Sequence, residues 1–249
     1  MDGAEKRFAL LIDCDNIAPD YIDTILDELS KEGFATIRRG YGDWTTQAMS
    51  SWKKVLITSS ITPHQQFANT KKKNATDSAM IIDAMDILYR EPVDGFCLCS
   101  SDSDFTRLAQ RLRESGKEVI GMGEEKTPEA FVQACTYFRF LDVIKASEKK
   151  KETSKATDQQ KSDEKVDSAI TPEAEIKEKI SELIESSEDG VGTALSSTIG
   201  TELRKRYPSF DPRNYGCKKL IDLIVKLGFK TTKDSAKIVV TLPAKNKSK

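Results

Sequence analysis

One histidine, His64, serves the whole chain of 249 residues, and no CxxC pair accompanies it. A zinc site built from nitrogen and sulfur therefore lacks material. The cysteines are five, Cys14, Cys97, Cys99, Cys135 and Cys217. Their odd number, wide spacing and apolar surroundings exclude a disulfide framework and predict reduced, buried thiols. The thiols of Cys97-Leu98-Cys99 are expected on opposite faces of a strand. No apolar run approaches the roughly 20 residues that cross a bilayer. Met1-Asp2-Gly3-Ala4-Glu5-Lys6-Arg7 lacks the apolar core of a secretion signal. No membrane role and a cytoplasmic location are expected. Neither sign of charge dominates, since the net charge is −1, so any nucleic-acid face must be local. Hydrophobic content of 38% against 32% charged residues is lean for one compact domain and points to a solvated linker.

What the chain does have is a succession of short apolar runs. The first, Phe8-Ala9-Leu10-Leu11-Ile12, reads as a strand buried on both faces. It ends in the polar tip Asp13-Cys14-Asp15-Asn16. A helix follows over 20–32, with Tyr21, Ile22, Ile25, Leu26 and Leu29 on one face and Gly33 as its left-handed stop. Phe34-Ala35-Thr36-Ile37 is a second strand, ending near Gly40-Tyr41-Gly42-Asp43, and Trp52, Val55 and Leu56 mark a second helix. Residues 61–67 are extended, and Pro63 places them at an edge or a strand start. After a polar loop over 71–77, Thr76 caps a helix that buries Met80, Ala84 and Leu88. Phe96-Cys97-Leu98-Cys99 is another buried strand, followed by a helix from Phe105 to Gly116 with Asp104 at its cap. Strands at 119–123 and 137–141 flank a short helix that starts at Pro128. Strands alternating with helices imply an α/β fold, a mostly parallel sheet with helices on both faces.

Composition divides the chain into a domain over 1–146, a flexible charged linker over 147–171, a second domain over 172–243 and a basic tail over 244–249. The linker has no aromatic residue and cannot bury enough apolar surface to order itself. Order resumes where Thr171 caps a helix with Pro172 in its first turn. Helices carrying Ile176, Ile180 and Ile184, then Leu195, Ile199 and Leu203, then Leu220, Ile224 and Leu227 precede a hairpin around Lys233-Asp234-Ser235. Three helices and a hairpin form a winged-helix pattern. From Thr201 onward, 13 Lys and Arg stand against 4 Asp and Glu. Arg204, Lys205, Arg206, Lys218 and Lys219, with Lys245, Lys247 and Lys249, are candidates to lie along a phosphate backbone. A solvated basic face is the plainer alternative.

In an open parallel sheet the ligand site lies at the carboxyl ends of the strands. Three tips there carry carboxylates: Asp13 and Asp15, Asp77, and Asp102 and Asp104. Oxygen donors without His or Cys suit Mg²⁺ or Mn²⁺. Such ions activate water and offset the charge that grows on phosphorus when a phosphodiester is hydrolysed. Aspartates also cap helices and fill turns. That reading suffices for Asp94 and Asp142 but not for three acidic tips in register. His64, beside a proline, is expected to be structural. Gly121-Met122-Gly123 is an incomplete dinucleotide fingerprint.

Four segments, Ile12-Asp13-Cys14-Asp15-Asn16, Gly40-Tyr41-Gly42-Asp43, Lys73-Asn74-Ala75-Thr76-Asp77 and Ser100-Ser101-Asp102-Ser103-Asp104-Phe105, resemble in order the motifs of the NYN domain. Pro128-Glu129-Ala130-Phe131 fits that family's late segment. The resemblance, over about 7–144, implies a PIN-like Rossmannoid sheet and a metal-dependent nuclease acting mainly on RNA. It further implies that Asp13, Asp77, Asp102 and Asp104 are the catalytic metal ligands, with Asp15 accessory. Asn16 would organise the first loop, Asp43 would be a weaker participant, and Lys73, beside Asn74, would touch phosphate. The segment Pro208-Ser209-Phe210-Asp211-Pro212-Arg213-Asn214-Tyr215-Gly216, followed by Leu220-Ile221 and Leu227-Gly228-Phe229, resembles the LOTUS, or OST-HTH, domain. This implies RNA binding and a protein partner. The expected activity is thus ribonuclease, most simply an endonuclease. An RNA-binding scaffold with a vestigial site is the alternative. A haloacid dehalogenase-type phosphatase is a further one, because Asp13-Cys14-Asp15 follows a hydrophobic strand, although Ile17 departs from that pattern.

Overall fold

In the computed structural model the residues described are 5–67, 75–152, 169–187, 193–234 and 237–242. The chain divides into two compact units between Ala169 and Ile170.

The first unit is built on six strands: β1 (Arg7–Asp13), β2 (Phe34–Gly42), β3 (Thr62–Gln65), β4 (Gly95–Cys99), β5 (Glu118–Gly123) and β6 (Tyr137–Phe140). All five pairings are parallel, in the order β3-β2-β1-β4-β5-β6. The apolar runs place β1 and β4 at the centre, buried throughout except at Arg7. β3, the strand with Pro63, is an edge, where a missing N–H costs no ladder bond. The connecting helices are α1 (Ile22–Ser30), α2 (Trp52–Thr58), α3 (Ala75–Arg90), α4 (Thr106–Glu114), α5 (Glu129–Ala134) and α6 (Leu141–Glu152). On one face Phe8, Leu10 and Ile12 share a core with Ile25 and Leu29 of α1, Trp52 and Leu56 of α2 and Leu141 of α6. On the other face α3 packs on β1 and β2, and α4 on β5 and α5. The order of strands reverses between β1 and β4, and the crevice at that switch point is where such sheets bind ligands.

Several local expectations change. Cys97 and Cys99 are two residues apart and so share a face, with their sulfurs 3.9 Å apart in one core. Gly33 is not left-handed. A Cβ there would collide with the Lys6 carbonyl and sit 2.9 Å from the Phe8 ring, so close approach of the chain is what requires glycine. Gly116, with φ of 74°, is a left-handed helix stop. α3 already begins at Ala75, which puts Thr76 inside its first turn. The cap before α4 is Asp102, whose carboxylate accepts from the Asp104 N–H at 2.9 Å in a short 3-10 turn; Asp104 lies within that turn. Leu141 opens α6 rather than closing β6. α6 continues to Glu152, past the boundary expected at 146. The rest of the expected linker, 153–168, lies outside the described residues, as does the basic tail.

The second unit holds α7 (Glu173–Glu185), β7 (Thr193–Leu195), α8 (Ser196–Arg206), α9 (Leu220–Lys226), β8 (Lys230–Asp234) and β9 (Lys237–Thr241). Its antiparallel sheet runs β7-β9-β8. The short strand β7 replaces the start expected for the second helix, and it pairs with β9 through Leu195 and Val239. Pro172 itself is the N-cap of α7, with Thr171 outside the helix. Ile176, Ile180 and Ile184 pack with Ile199, Leu203, Leu223 and Ile224 in one core, and Gly228, left-handed at φ of 93°, closes α9.

Candidate metal centre

β1 delivers Asp13 to the switch point at its last residue. Ile12 is in register with Cys99, so Asp13 and Ser100 stand side by side where the two central strands end. Both are fully buried. The Ser100 hydroxyl donates to Asp13 Oδ2 at 2.8 Å, and Asn16 Nδ2 donates to the same oxygen at 2.6 Å. The backbone turn is fixed too, because the N–H groups of Asn16 and Ile17 reach back to the Asp13 carbonyl. The other carboxylate oxygen, Asp13 Oδ1, is buried and has no hydrogen-bond partner. A buried acceptor left bare is costly unless something fills the place.

Across the crevice, Asp77 in the first turn of α3 and Asp102 and Asp104 after β4 bring one carboxylate oxygen each within 4.8 Å of one another. Among the described residues no Lys or Arg forms an ion pair with Asp13, Asp77 or Asp102. Desolvation pushes Asp77 up to about 6, and the negative charges of Asp13, Asp102, Asp104 and Asp15 add to the shift. Burial also raises Asp13, against the opposing effect of the Asn16 and Ser100 hydrogen bonds. Crowded carboxylates, a partnerless buried oxygen and an all-oxygen donor set fit a hard divalent cation.

The sequence-expected residues divide accordingly. Asp13, Asp77, Asp102 and Asp104 converge, and exposed Asp15 adds its charge at the rim. Asn16 holds Asp13. Asp43 does not join them; its carboxylate ties Thr45 and Gln65 into the turn after β2, at 2.6 and 2.9 Å. Lys73 and Asn74 lie outside the described residues. Two features fall in the quoted segments, but their roles were not among those expected. Ser100, whose hydroxyl also accepts from the Asp102 N–H at 3.1 Å, links the two acidic tips. It opens its segment as a polar residue closing a fully apolar strand. The second is a clamp in which Arg39 and Tyr41 of β2 both donate to Asp83 of α3, while the Tyr41 ring lies 5.2 Å from that of His64. Burial and Asp83 push the Tyr41 hydroxyl far up, so it stays a donor. The clamp fixes α3, and with it Asp77, against the sheet.

In the second unit Arg204, Lys205 and Arg206 are exposed in the last turn of α8, where positive charge also complements the helix dipole. Lys205 pairs with Glu202 at 2.8 Å. Lys218 and Lys219 are exposed just before α9. Arg213 is instead committed to Asp211, with contacts at 2.9 and 2.6 Å.

Comparison with known proteins agrees with this geometry. Residues 7–142 match the NYN domain, and residues 174–237 match the OST-HTH/LOTUS domain. Among curated proteins none matches the chain. A crystal structure of a protein of unknown function from Vibrio parahaemolyticus RIMD 2210633 is similar over 55% of this chain and 94% of that one, at 17% identity and a TM-score of 0.46. No helix among the described residues is long and apolar enough to cross a membrane.

Proposed function

We propose, on the premise that the chain belongs to the NYN domain family and carries an OST-HTH/LOTUS domain after it, that it is a metal-dependent ribonuclease. The observation that carries this reading is the convergence of Asp77, Asp102 and Asp104 beside Asp13 and its partnerless oxygen at the sheet's switch point. Asp77, Asp102 and Asp104 are the direct oxygen donors for Mg²⁺ or Mn²⁺, and Asp13 completes the set. When bound, such an ion supplies Lewis-acid charge at the scissile phosphate and makes water a nucleophile near neutral pH. The protein's own part is positioning. Ser100 and Asn16 hold one oxygen of Asp13 and leave the other without a hydrogen bond. Asp102 keeps its place by capping the turn before α4. Asp77, pushed up to about 6 in the metal-free chain, must lose its proton before it can donate, so proton and cation compete for it at acid pH.

The exposed Arg204, Lys205, Arg206, Lys218 and Lys219 of the LOTUS unit supply phosphate contacts without base specificity. Joined in one chain, the two units raise each other's local concentration on a shared RNA. The test is cleavage of a labelled RNA by the purified chain with Mg²⁺ or Mn²⁺. Asp102→Asn and chelation should each abolish it while RNA binding persists. Unchanged cleavage by Asp102→Asn would refute the metal mechanism. An aspartyl-phosphate trapped on Asp13 would replace it with the phosphatase reading.

A further inference from the structure

A second site lies away from the carboxylates, in the notch beneath β3. β3 pairs with β2 only from Arg39 onward, through Arg39 and Thr62. The first half of β2, Phe34 to Arg38, therefore has an edge without a strand beside it. The gap is a cavity of about 400 Å³ lined by Thr36, Ile37, Arg38, Arg39, Ser60 and Thr62. That volume falls within the range of small-molecule sites, far larger than a bare anion needs.

Its chemistry is one-sided. Among the described residues no acidic side chain lines it. Arg39 is neutralised by Asp83 on α3. Arg38 is not neutralised: its guanidinium donates to the Ser59 carbonyl at 3.1 Å, and among the described residues it has no carboxylate partner. A guanidinium carries five N–H donors, so most of its capacity remains open. Thr36, Ser60 and Thr62 line the same cavity, the Thr36 hydroxyl donating to the Phe8 carbonyl at 3.4 Å. Ser60 is held at φ of 52°, the only non-glycine residue with positive φ among those described. An L-residue in that region is strained, and the strain fixes the rim of the cavity at Ser60. A half-buried guanidinium without a carboxylate partner, at the edge of such a cavity, is a receptor for a phosphate ester.

We propose that this notch binds a nucleotide through its phosphate on Arg38, supplied either by an RNA strand or by a free mononucleotide. Arg38 is in register with Leu10 of β1 and Tyr41 with Asp13, so the notch lies roughly 10 Å below the level of Asp13 at about 3.3 Å per residue. The RNA source rests on the ribonuclease reading; the mononucleotide source does not.

The experiment uses the full chain in excess chelator, so turnover plays no part and its failure is separate from a failure of the nuclease reading. One arm measures fluorescence anisotropy of a labelled single-stranded RNA, the other calorimetry with adenosine monophosphate. Arg38→Gln is expected to weaken binding about tenfold or more, the worth of one charge-assisted contact. If RNA is the source, the slope of log affinity on log salt also falls by about one. If the free nucleotide is the source, only the adenosine monophosphate arm changes. Ser60→Gly removes a hydroxyl while relieving the backbone, so it folds and provides an independent loss of several-fold. Wild-type affinity of both variants in both arms overturns the site, as does failure of the wild-type chain to bind either ligand.

Discussion

Removing one carboxylate from the centre should stabilise the protein when no cation is present. Asp77 is pushed up to about 6 by desolvation and by the charges of Asp13, Asp102, Asp104 and Asp15. A carboxyl raised in the folded state contributes stability that is fully present below its unfolded value, near 4, and lost as pH rises through about 6. Near neutral pH the folded chain therefore carries a penalty. A rise from about 4 to about 6 corresponds to at most about 3 kcal/mol. Asp77 is only partly buried, and solvent screening trims this to about 1–2 kcal/mol. Asp77→Asn should then raise the melting temperature of the NYN unit by about 3–6 °C in chelator at about pH 7.5. The gain should shrink toward zero by about pH 4, where the native carboxyl is already protonated. With Mn²⁺ the order reverses, because the wild type gains the binding free energy and the variant loses most of it. Differential scanning fluorimetry across pH, with and without Mn²⁺, reads all three. A destabilised Asp77→Asn at neutral pH in chelator, or a gain that persists at pH 4, would refute the electrostatic account.

Further expectations use other assays. Ser100→Ala removes the donor between the acidic tips and leaves Asp13 less well held, at a cost of about 1–3 kcal/mol in urea unfolding; kcat should drop while RNA affinity stays. Mn²⁺ should bind more weakly as pH falls below about 6, where the ion must displace the proton that Asp77 holds in the metal-free chain, in calorimetric titrations of the metal across pH. Gly121→Ala would put a Cβ against the Phe138 ring and 2.6 Å from Cys135 Sγ, so unfolding should become easier by about 1–3 kcal/mol. Arg204→Glu with Lys218→Glu should weaken RNA binding and flatten its salt dependence, leaving stabilisation by Mn²⁺ intact.

The elements that β1 and β4 represent were legible because burial on both faces writes an unbroken apolar run. The acidic tips were legible because each follows such a run or opens a helix. What escaped was decided by tertiary neighbours. Ser100 looks like any loop serine until β1 and β4 are aligned with Ile12 opposite Cys99. Asp83 reads as a polar residue on a helix until Arg39 and Tyr41 arrive from a strand more than 40 positions earlier. Asp104 looked like the cap because it immediately precedes Phe105, yet the chain enters a 3-10 turn first and Asp102 takes that place. Gly33 carried the right boundary for the wrong reason, since crowding by Lys6 and Phe8 cannot be read from its own neighbourhood. Asp43 stands at a strand end as Asp13 does, but β2 ends one strand away from the switch point.

The central position of β1 has a consequence during synthesis. Its partner on one side, β2, follows soon, but its partner on the other, β4, begins only at Gly95. At roughly 5–20 residues per second a ribosome needs several seconds to bridge that interval. Throughout it the run Phe8 to Ile12 has one bare edge, a feature that chaperones bind and that aggregation exploits. The strand that delivers Asp13 to the crevice is thus exposed to quality control in the nascent NYN unit, and slow elongation between Gly42 and Gly95 should lower its yield.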